Sequence, residues 1–272
     1  NLLHDSPDAG IMYWGNEMRL EYNEVHHLAK ESDDVGAFYC GRDYTMRGNV
    51  IRYNYFHHLQ KPMHVGVMAV YLDDFSSGAT IFGNIFYQAG RAVFMGGGRD
   101  HRIENNIFVE NAPSIFLDAR GLVRNTEFFD GRITTLTDRL HEMNYTAPPY
   151  SEKYPMLLTL YLYSGLDLEV LEMENNVITD SVIFRTSAET GVETENFTEH
   201  GRDDSAVAAR FAQRGNQVLA GDSSLMNLLK GDFRLRENFP ALPPGFERIP
   251  VEKIGLYRDA YRKLLPKKFS AK

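Results

Sequence analysis

A six-residue pattern recurs along the chain and constrains its fold more than any other feature. In order, it places an apolar residue, two variable residues, an asparagine, one variable residue and a second apolar residue. Its asparagines are Asn1, Asn23, Asn54, Asn84, Asn106 and Asn176. The first five are separated by 22, 31, 30 and 22 residues. Periods of this length are typical of solenoids, in which one supersecondary unit stacks on the next.

The residues around these asparagines indicate strands. The segments are short, rich in β-branched and aromatic residues, and bounded by glycine, asparagine and aspartate. One unit cannot bury its inner face alone, but stacking at about 4.8 Å pairs its backbone with the next unit. Asparagines at the same turn of successive units can then form an amide ladder. The sequence therefore predicts an all-β solenoid, specifically a right-handed parallel β-helix.

A second predicted strand precedes most copies of the pattern and indicates which side chains face outward. Side chains alternate along a strand, so its first and third positions are predicted to face the core and its second and fourth to face outward. The second positions are Tyr13, Tyr39, Tyr71, Phe94 and Phe116. The fourth positions are Gly15, Gly41, Asp73, Gly96 and Asp118. The opposite orientation remains open because short strands are ambiguous, although it would bury carboxylates.

Aspartates on this outward face are the candidate catalytic residues. Hydrolysis of a glycosidic bond needs a pair of carboxyl groups, and neighbouring units would bring such groups together. The leading candidates are Asp43, Asp73 and Asp118. Asp34 or Asp74 would replace one of them if the strand register shifts by one, and both are alternatively turn residues. Each acid could instead form a structural ion pair with a nearby arginine.

The same face holds candidate substrate-binding residues. Aromatic rings offer flat apolar surfaces to sugar C–H groups, and tyrosine hydroxyls add polar contacts. The glycines are predicted to leave a shallow trough around Asp73. The candidate contacts to a substrate are Tyr39, Tyr71, Phe94, Arg42, Arg99 and Arg120.

Three histidines follow ladder asparagines at a constant distance of three residues, and we expect them to stack. They are His4, His26 and His57. Aligned imidazoles could hold a metal ion. The preferred interpretation is a stack of rings that donates hydrogen bonds to backbone carbonyls. The sequence therefore predicts neither a metal nor another cofactor.

The regularity of the repeats stops near Asn125, which suggests three parts. Residues 1–128 are predicted to form β-helix coils, and residues 129–166 a helix-containing insertion or cap, because Thr137–Met143 has a helical pattern. Residues 167–272 would contain the last coils and an extended tail with prolines. The sequence opens within a repeat, at Asn1-Leu2-Leu3-His4, so we expect a preceding segment of the same protein to stack on it.

Composition narrows the range of partners. The net charge of −8 argues against a nucleic acid, whose phosphates need a basic surface. No apolar run approaches the length of a membrane span. The sequons Asn144-Tyr-Thr and Asn196-Phe-Thr are weak hints of secretion. A polysaccharide or oligosaccharide is the partner that fits the predicted face best.

Several runs of the sequence resemble bacterial right-handed parallel β-helix proteins, and among these glycoside hydrolase family 141. The runs include Asp34–Asp43, Tyr71–Asp74, Gly96–Asp100, Glu104–Phe108 and Asp118–Gly121. That family includes fucosidase and xylanase activities and uses a pair of aspartates. The resemblance implies a secreted or periplasmic glycoside hydrolase acting on a plant or microbial polysaccharide. Its pair would come from the acidic motifs that match, namely Asp34, Asp43, Asp73, Asp74 and Asp118. A polysaccharide lyase and a non-catalytic module for glycan binding or adhesion are the alternatives.

Overall fold

The computed structural model confirms a solenoid built from parallel strands. It describes residues 1–59, 66–118, 120, 125–129, 131–161, 176–179, 182–185, 192–194, 211–220, 225–227, 232–235, 242–258 and 260–264. Within these residues, three parallel sheets of seven, six and six strands stack side by side around a common core. We call them sheets A, B and C, and one coil contributes one strand to each.

The strands are short, as the repeat predicts, and those of the helix follow one another through the three sheets. In chain order they are β1 (Leu2–His4), β2 (Ile11–Met12), β3 (Arg19–Glu21), β4 (Glu24–His26), β5 (Val35–Gly41), β6 (Val50–Arg52), β7 (Tyr55–His57), β8 (Val67–Asp73), β9 (Thr80–Phe82), β10 (Ile85–Tyr87), β11 (Arg91–Met95), β12 (Arg102–Glu104), β13 (Ile107–Val109), β14 (Ile115–Leu117), β15 (Asn176–Thr179), β16 (Val182–Arg185), β17 (Val192–Thr194), β18 (Phe211–Arg214), β19 (Gln217–Ala220), β20 (Leu225–Asn227) and β21 (Asp232–Leu235). Sheet A begins with β1, sheet B with β2 and sheet C with β3, and each takes every third strand as far as β19. Strands β20 and β21 form a separate antiparallel pair.

The predicted asparagine ladder is present at the turn from sheet C to sheet A. Asn23 Nδ2 donates to Asn54 Oδ1 at 2.8 Å, and Asn54 Nδ2 donates to Asn84 Oδ1 at 3.0 Å. The contact repeats from Asn1 to Asn23 at 2.9 Å and from Asn84 to Asn106 at 3.1 Å. Each ladder oxygen from Asn54 onward also accepts the backbone N–H of the preceding ladder asparagine, so amide groups bind the coils together.

The copy of the pattern at Asn176 does not join this ladder. The parallel register pairs Ile178 with Ile103, so Asn176 begins strand β15 in sheet C and does not occupy the turn that Asn106 occupies. The prediction for this copy is therefore wrong. The reason is that a six-residue motif does not define strand register by itself, whereas the pairing of neighbouring backbones does.

Inward and outward positions in sheet B agree with the prediction from the second coil onward. Val70 pairs with Phe38 and Val93, and all three side chains are buried in the common core. In the first coil the prediction is wrong by one residue, because Met12 pairs with Tyr39. Tyr13 therefore points inward. Its hydroxyl lies 3.1 Å from Cys40 Sγ, which gives a buried aromatic side chain a polar partner.

The insertion follows β14 and packs against the flank of the coils. It contains helices α1 (Thr135–Glu142) and α2 (Tyr150–Lys153) and 3-10 turns at Thr126–Phe128 and Pro155–Tyr161. Leu136, Leu140 and Leu157 bury their side chains with Tyr44 and Phe75 of the coils. No helix in the described part of the chain is both long enough and apolar enough to cross a membrane.

Residues 242–258 of the tail run across the coils. Asn105 exchanges two hydrogen bonds with the backbone of Glu247, and the N–H of Gly255 donates to the carbonyl of Tyr22. Between these points, Ile249 packs on the outer face of sheet A. Residues 260–264 contain bends and no helix.

Candidate active site

A groove of about 440 Å³ opens beside sheet B and brings together four of the predicted site residues. They are Asp34, Tyr39, Arg42 and Asp73. Two further aspartates, Asp8 and Asp33, also line the groove. Four carboxylates and one guanidinium therefore face this space. The groove is expected to attract cationic ligands, to admit neutral ones and to repel anionic ones.

Two of these four aspartates bind backbone groups close to them. Asp8 Oδ1 accepts the N–H of Ala9 at 2.8 Å, and Asp33 Oδ1 accepts the N–H of Gly66 at 2.6 Å. These contacts give the two aspartates structural roles, because they pair backbone N–H groups that lie outside the strands. Asp34 and Asp73 differ, because both receive hydrogen bonds from tyrosine side chains.

A pair of tyrosines crosses between these two carboxylates. Tyr39 Oη donates to Asp73 Oδ2 at 2.8 Å, and Tyr71 Oη donates to Asp34 Oδ1 at 3.0 Å. The rings are register partners on β5 and β8 and meet edge to face, with centroids 5.3 Å apart. Burial and the negative charge of Asp73 raise the pKa of Tyr39 and of Tyr71. Both hydroxyls therefore stay protonated and act as donors at neutral pH.

Arg120 connects three of the predicted acids. Its Nη1 contacts Asp73 and lies 2.6 Å from Asp74 Oδ1, and its Nη2 lies 2.9 Å from Asp118 Oδ2. Burial disfavours the charged guanidinium, but the three carboxylates outweigh that effect and raise the pKa of Arg120 above its ordinary value. Arg42 adds a second cation, because its Nε donates to Asp74 Oδ2 at 2.5 Å.

A glycine at the fourth position of β11's coil leaves the space in which the Arg120 side chain passes from one coil to another. Arg120 follows β14 in the fifth coil and reaches Asp73 in the third, so its guanidinium crosses the fourth coil at Gly96. A Cβ atom at Gly96 would lie 2.9 Å from Arg120 Nη1 and 3.0 Å from Arg120 Cζ. The open trough predicted here is therefore filled by protein. As a result, Asp73 is only 7% exposed and Asp118 is fully buried.

Some predicted residues lie outside the groove, for identifiable physical reasons. Asp43 Oδ1 accepts the N–H of Thr45 at 2.8 Å and its hydroxyl at 2.7 Å, which is a turn contact. Arg99 is 1% exposed and its Nε binds Asp100, so the prediction that it contacts substrate on the outer face is wrong. Asp74 and Asp118 are buried in contact with Arg120, as the alternative of structural ion pairs anticipates.

The aromatic column faces outward, but most of it is covered. Tyr71 and Phe94 are buried in a small cluster with Met68, so the prediction that they present open surfaces to a sugar is wrong. The Arg91 guanidinium lies 5.7 Å from the Phe94 ring centroid and helps to cover it. Only Tyr39 of the predicted aromatic contacts lines the groove.

Sequence reasoning missed two apolar side chains beside the groove. Met12 lines it and is 59% exposed, and Trp14 is 44% exposed with its ring edge-on to Tyr39 at 6.2 Å. The error of one residue in the first coil hid both of them, because it placed these positions in the core. The signal that could have found Trp14 is that it is the only tryptophan of the chain.

The predicted histidine stack lies on the outer face of sheet A. The ring centroids of His4 and His26 are 5.1 Å apart, and those of His26 and His57 are 4.7 Å apart. Their Nδ1 atoms contact side chains and not the expected backbone carbonyls. The contacts are to Asp5, His27 and His58.

No known family model, curated protein or solved structure matches this chain. The resemblance to glycoside hydrolase family 141 therefore remains a prediction from the motifs quoted above.

Proposed function

We propose that this chain binds a polysaccharide or oligosaccharide in the sheet B groove and hydrolyses it with Asp34 and Asp73. The observation that carries the proposal is that these carboxylates, from adjacent coils, line one groove and are linked by crossed tyrosine contacts. Glycoside hydrolysis needs two carboxyl groups that flank the scissile bond, and Asp34 and Asp73 are the two groove acids held by tyrosine side chains.

The surroundings of the two acids suit different roles. Asp73 receives hydrogen bonds from Arg120 and Tyr39, one on each oxygen, and we assign it the role of base or nucleophile. Asp34 is exposed and receives one hydrogen bond from Tyr71. It is therefore the group that the glycosidic oxygen reaches first, and we assign it the role of acid.

Exposed apolar side chains provide a surface for the sugar. The indole of Trp14 and the side chain of Met12 stand beside the ring of Tyr39 at the groove. Flat apolar faces next to carboxylates match the two sides of a pyranose, whose C–H groups and hydroxyls need different partners.

The charge of the groove favours a neutral glycan. Four carboxylates and one guanidinium line it, and such a lining repels the uronates on which polysaccharide lyases act. A polymeric substrate outside the cytoplasm agrees with the expectation of a secreted or periplasmic protein.

A non-catalytic glycan-binding module is the second candidate function. It is favoured by one observation: Asp73 is 7% exposed and both of its oxygens already have partners. The same groove and aromatic surface would then bind sugar without cleaving it.

The test is digestion of a panel of neutral plant and microbial glycans by the purified chain, together with titration calorimetry. Asp34→Asn and Asp73→Asn are each expected to lower kcat by about 1,000-fold, equivalent to about 4 kcal/mol of barrier. Asp8→Asn is the matched control, because it makes the same change in the same groove. Asp43→Asn is a second control, because Asp43 makes a turn contact outside the groove. Both controls should retain turnover within about threefold.

The other outcomes separate the two candidates. Sugar binding without product by the unaltered chain, weakened about tenfold by Trp14→Ala, would establish the binding module in place of the hydrolase. Turnover that survives both Asp34→Asn and Asp73→Asn would refute the assignment of the acids. If no glycan binds a chain that circular dichroism shows to be folded, both candidates fail.

A further inference from the structure

Three potential metal ligands meet on the outer face of sheet A, away from the groove. Glu24 and His26 are two residues apart on β4 and so point to the same side, and the register places His57 of β7 next to His26. One ligand atom from each side chain can be chosen so that all three lie within 4.8 Å of one another. Two imidazoles and one carboxylate are a ligand set that proteins use for zinc.

The contact between Glu24 and His57 has the dimensions of shared coordination. Glu24 Oε1 and His57 Nε2 are 3.5 Å apart, which is long for a hydrogen bond. Two ligands of one tetrahedral zinc ion, each at about 2.1 Å from the metal, are about 3.4 Å apart. His57 Nε2 is also buried and has no hydrogen-bond partner within the described part of the chain. A metal ion would satisfy this nitrogen, whose burial otherwise costs free energy.

The neighbouring histidines orient the two imidazoles. His26 Nδ1 contacts His27 Nδ1 at 2.7 Å, and His57 Nδ1 contacts His58 Nδ1 at 2.8 Å. The rings of His27 and His58 stack on each other, 5.6 Å apart and nearly parallel. If His26 and His57 donate from Nδ1, their Nε2 lone pairs are available to a metal. A hydrogen bond to the second ring nitrogen is the usual way in which proteins fix a ligating histidine.

The tail holds Glu24 from the other side. A Cβ atom at Gly255 would lie 2.6 Å from Glu24 Oε2, and Gly255 has a φ of +80°, in the left-handed region that favours glycine. Because Gly255 also donates its N–H to the carbonyl of Tyr22, the tail backbone is fixed against this carboxylate. Glu24 therefore has little freedom to turn away from His57.

We propose that Glu24, His26 and His57 bind a divalent transition-metal ion, with zinc as the best match to the ligands. The ion would join two neighbouring coils and retain a position for water or another ligand. This proposal replaces the prediction of no metal. It is independent of the proposed hydrolysis, because the ligands lie on sheet A and the groove lies beside sheet B.

The test is calorimetric titration of the untagged, chelator-treated full chain with zinc sulfate, with metal analysis after dialysis. We expect one tightly bound ion per chain. His26→Gln and His57→Gln should each weaken binding by at least about 100-fold. His4→Gln is the matched control, because His4 stacks on His26 but is not one of the three ligands, and it should change the affinity less than about threefold. Zinc should raise the Tm of the unaltered chain and not that of His57→Gln.

Two results would overturn the proposal. One is the absence of stoichiometric zinc binding by a chain that circular dichroism shows to be folded. The other is zinc binding that His26→Gln and His57→Gln leave unchanged. If either glutamine variant does not fold, Glu24→Gln removes one ligand from a more exposed position, and unchanged binding by that variant counts against the site. Digestion of glycans should be the same with and without zinc, so failure here is distinguishable from failure of the hydrolase proposal.

Discussion

The asparagine ladder and the outer face of sheet B are both columns of equivalent residues in successive coils, but they differ in composition. Every step of the ladder repeats the same amide contact, from Asn1 to Asn106. On sheet B the corresponding positions alternate between glycine and aspartate, as at Gly41, Asp73 and Gly96. The partners of Asp73 and Asp118 are therefore not repeated in the other coils.

This contrast shows what repetition can and cannot do in a solenoid. A column of identical residues solves the same local problem in every coil, namely pairing of the polar groups at a turn. A column of unlike residues gathers side chains that no single coil contains, and it is there that charges accumulate. Arg120 illustrates this point, because one guanidinium from the fifth coil neutralises acids of the third and the fifth.

The strongest effect should come from removing Arg120, the cation that contacts the acids on the outer face of sheet B. Arg120→Leu should lower the free energy of unfolding by about 5 kcal/mol, because Asp73, Asp74 and Asp118 would be left buried without it. Denaturant titration at pH 7 measures this loss. Arg42→Leu is the control, since it also removes a partner of Asp74 but from a side chain that is 59% exposed, and it should cost less than about 1 kcal/mol. Equal losses in the two variants would show that burial does not distinguish these arginines.

The next largest change in stability is expected in the asparagine ladder. Asn84→Ala should cost about 4 kcal/mol, because it leaves the N–H of Asn54 and the carbonyl of Ile51 buried without partners. The same measurement on Asn1→Ala should give less than about 1 kcal/mol, since Asn1 is exposed at the end of the ladder. A uniform cost at both positions would contradict the ladder as a buried network.

A smaller effect tests a buried polar contact that occurs once and belongs to neither column. His101 Nε2 lies 2.8 Å from the carbonyl of Ser76 and must donate, and His101 Nδ1 accepts the N–H of Ala79 at 3.2 Å, so the folded chain requires a neutral ring. Burial lowers the pKa of His101 to about 4. Above pH 6.5 the ring is neutral in both states and its contribution to stability is complete. Between pH 6.5 and pH 4 only the unfolded chain takes up the proton. The free energy of unfolding should therefore fall by about 3 kcal/mol as the pH is lowered through this range.

His101→Gln should reduce this acid sensitivity, because an uncharged amide offers a similar donor and acceptor. Unfolding free energies at pH 7 and pH 4.5 measure the difference between the variant and the unaltered chain. His141→Gln, on the exposed side of α1, should keep the full dependence. If His101→Gln and the unaltered chain lose the same stability on acidification, the ring is not responsible.

Three features could be predicted from the amino-acid sequence alone: the parallel solenoid, the ladder from Asn1 to Asn106, and the alternation of sheet B from Phe38 onward. These features repeat, and a period that recurs in every coil can be read without knowing any contact. The insertion could also be predicted from the sequence, because the repeat stops and a helical pattern begins. The same interpretation was wrong at Asn176 and at Met12. At both places the motif had been aligned with the other copies by sequence alone, and the strand pairing differs from that alignment.

Which acids line the groove and which form structural ion pairs depends on contacts that no sequence pattern contains. Asp34 and Asp73 line one groove and each accepts a hydrogen bond from a tyrosine of the other's coil, whereas Asp118 is buried beside Arg120, which passes over Gly96. These contacts join residues up to 47 positions apart and occur once each. A one-dimensional pattern records the period of a solenoid, but burial and charge pairing depend on side chains that reach across several coils.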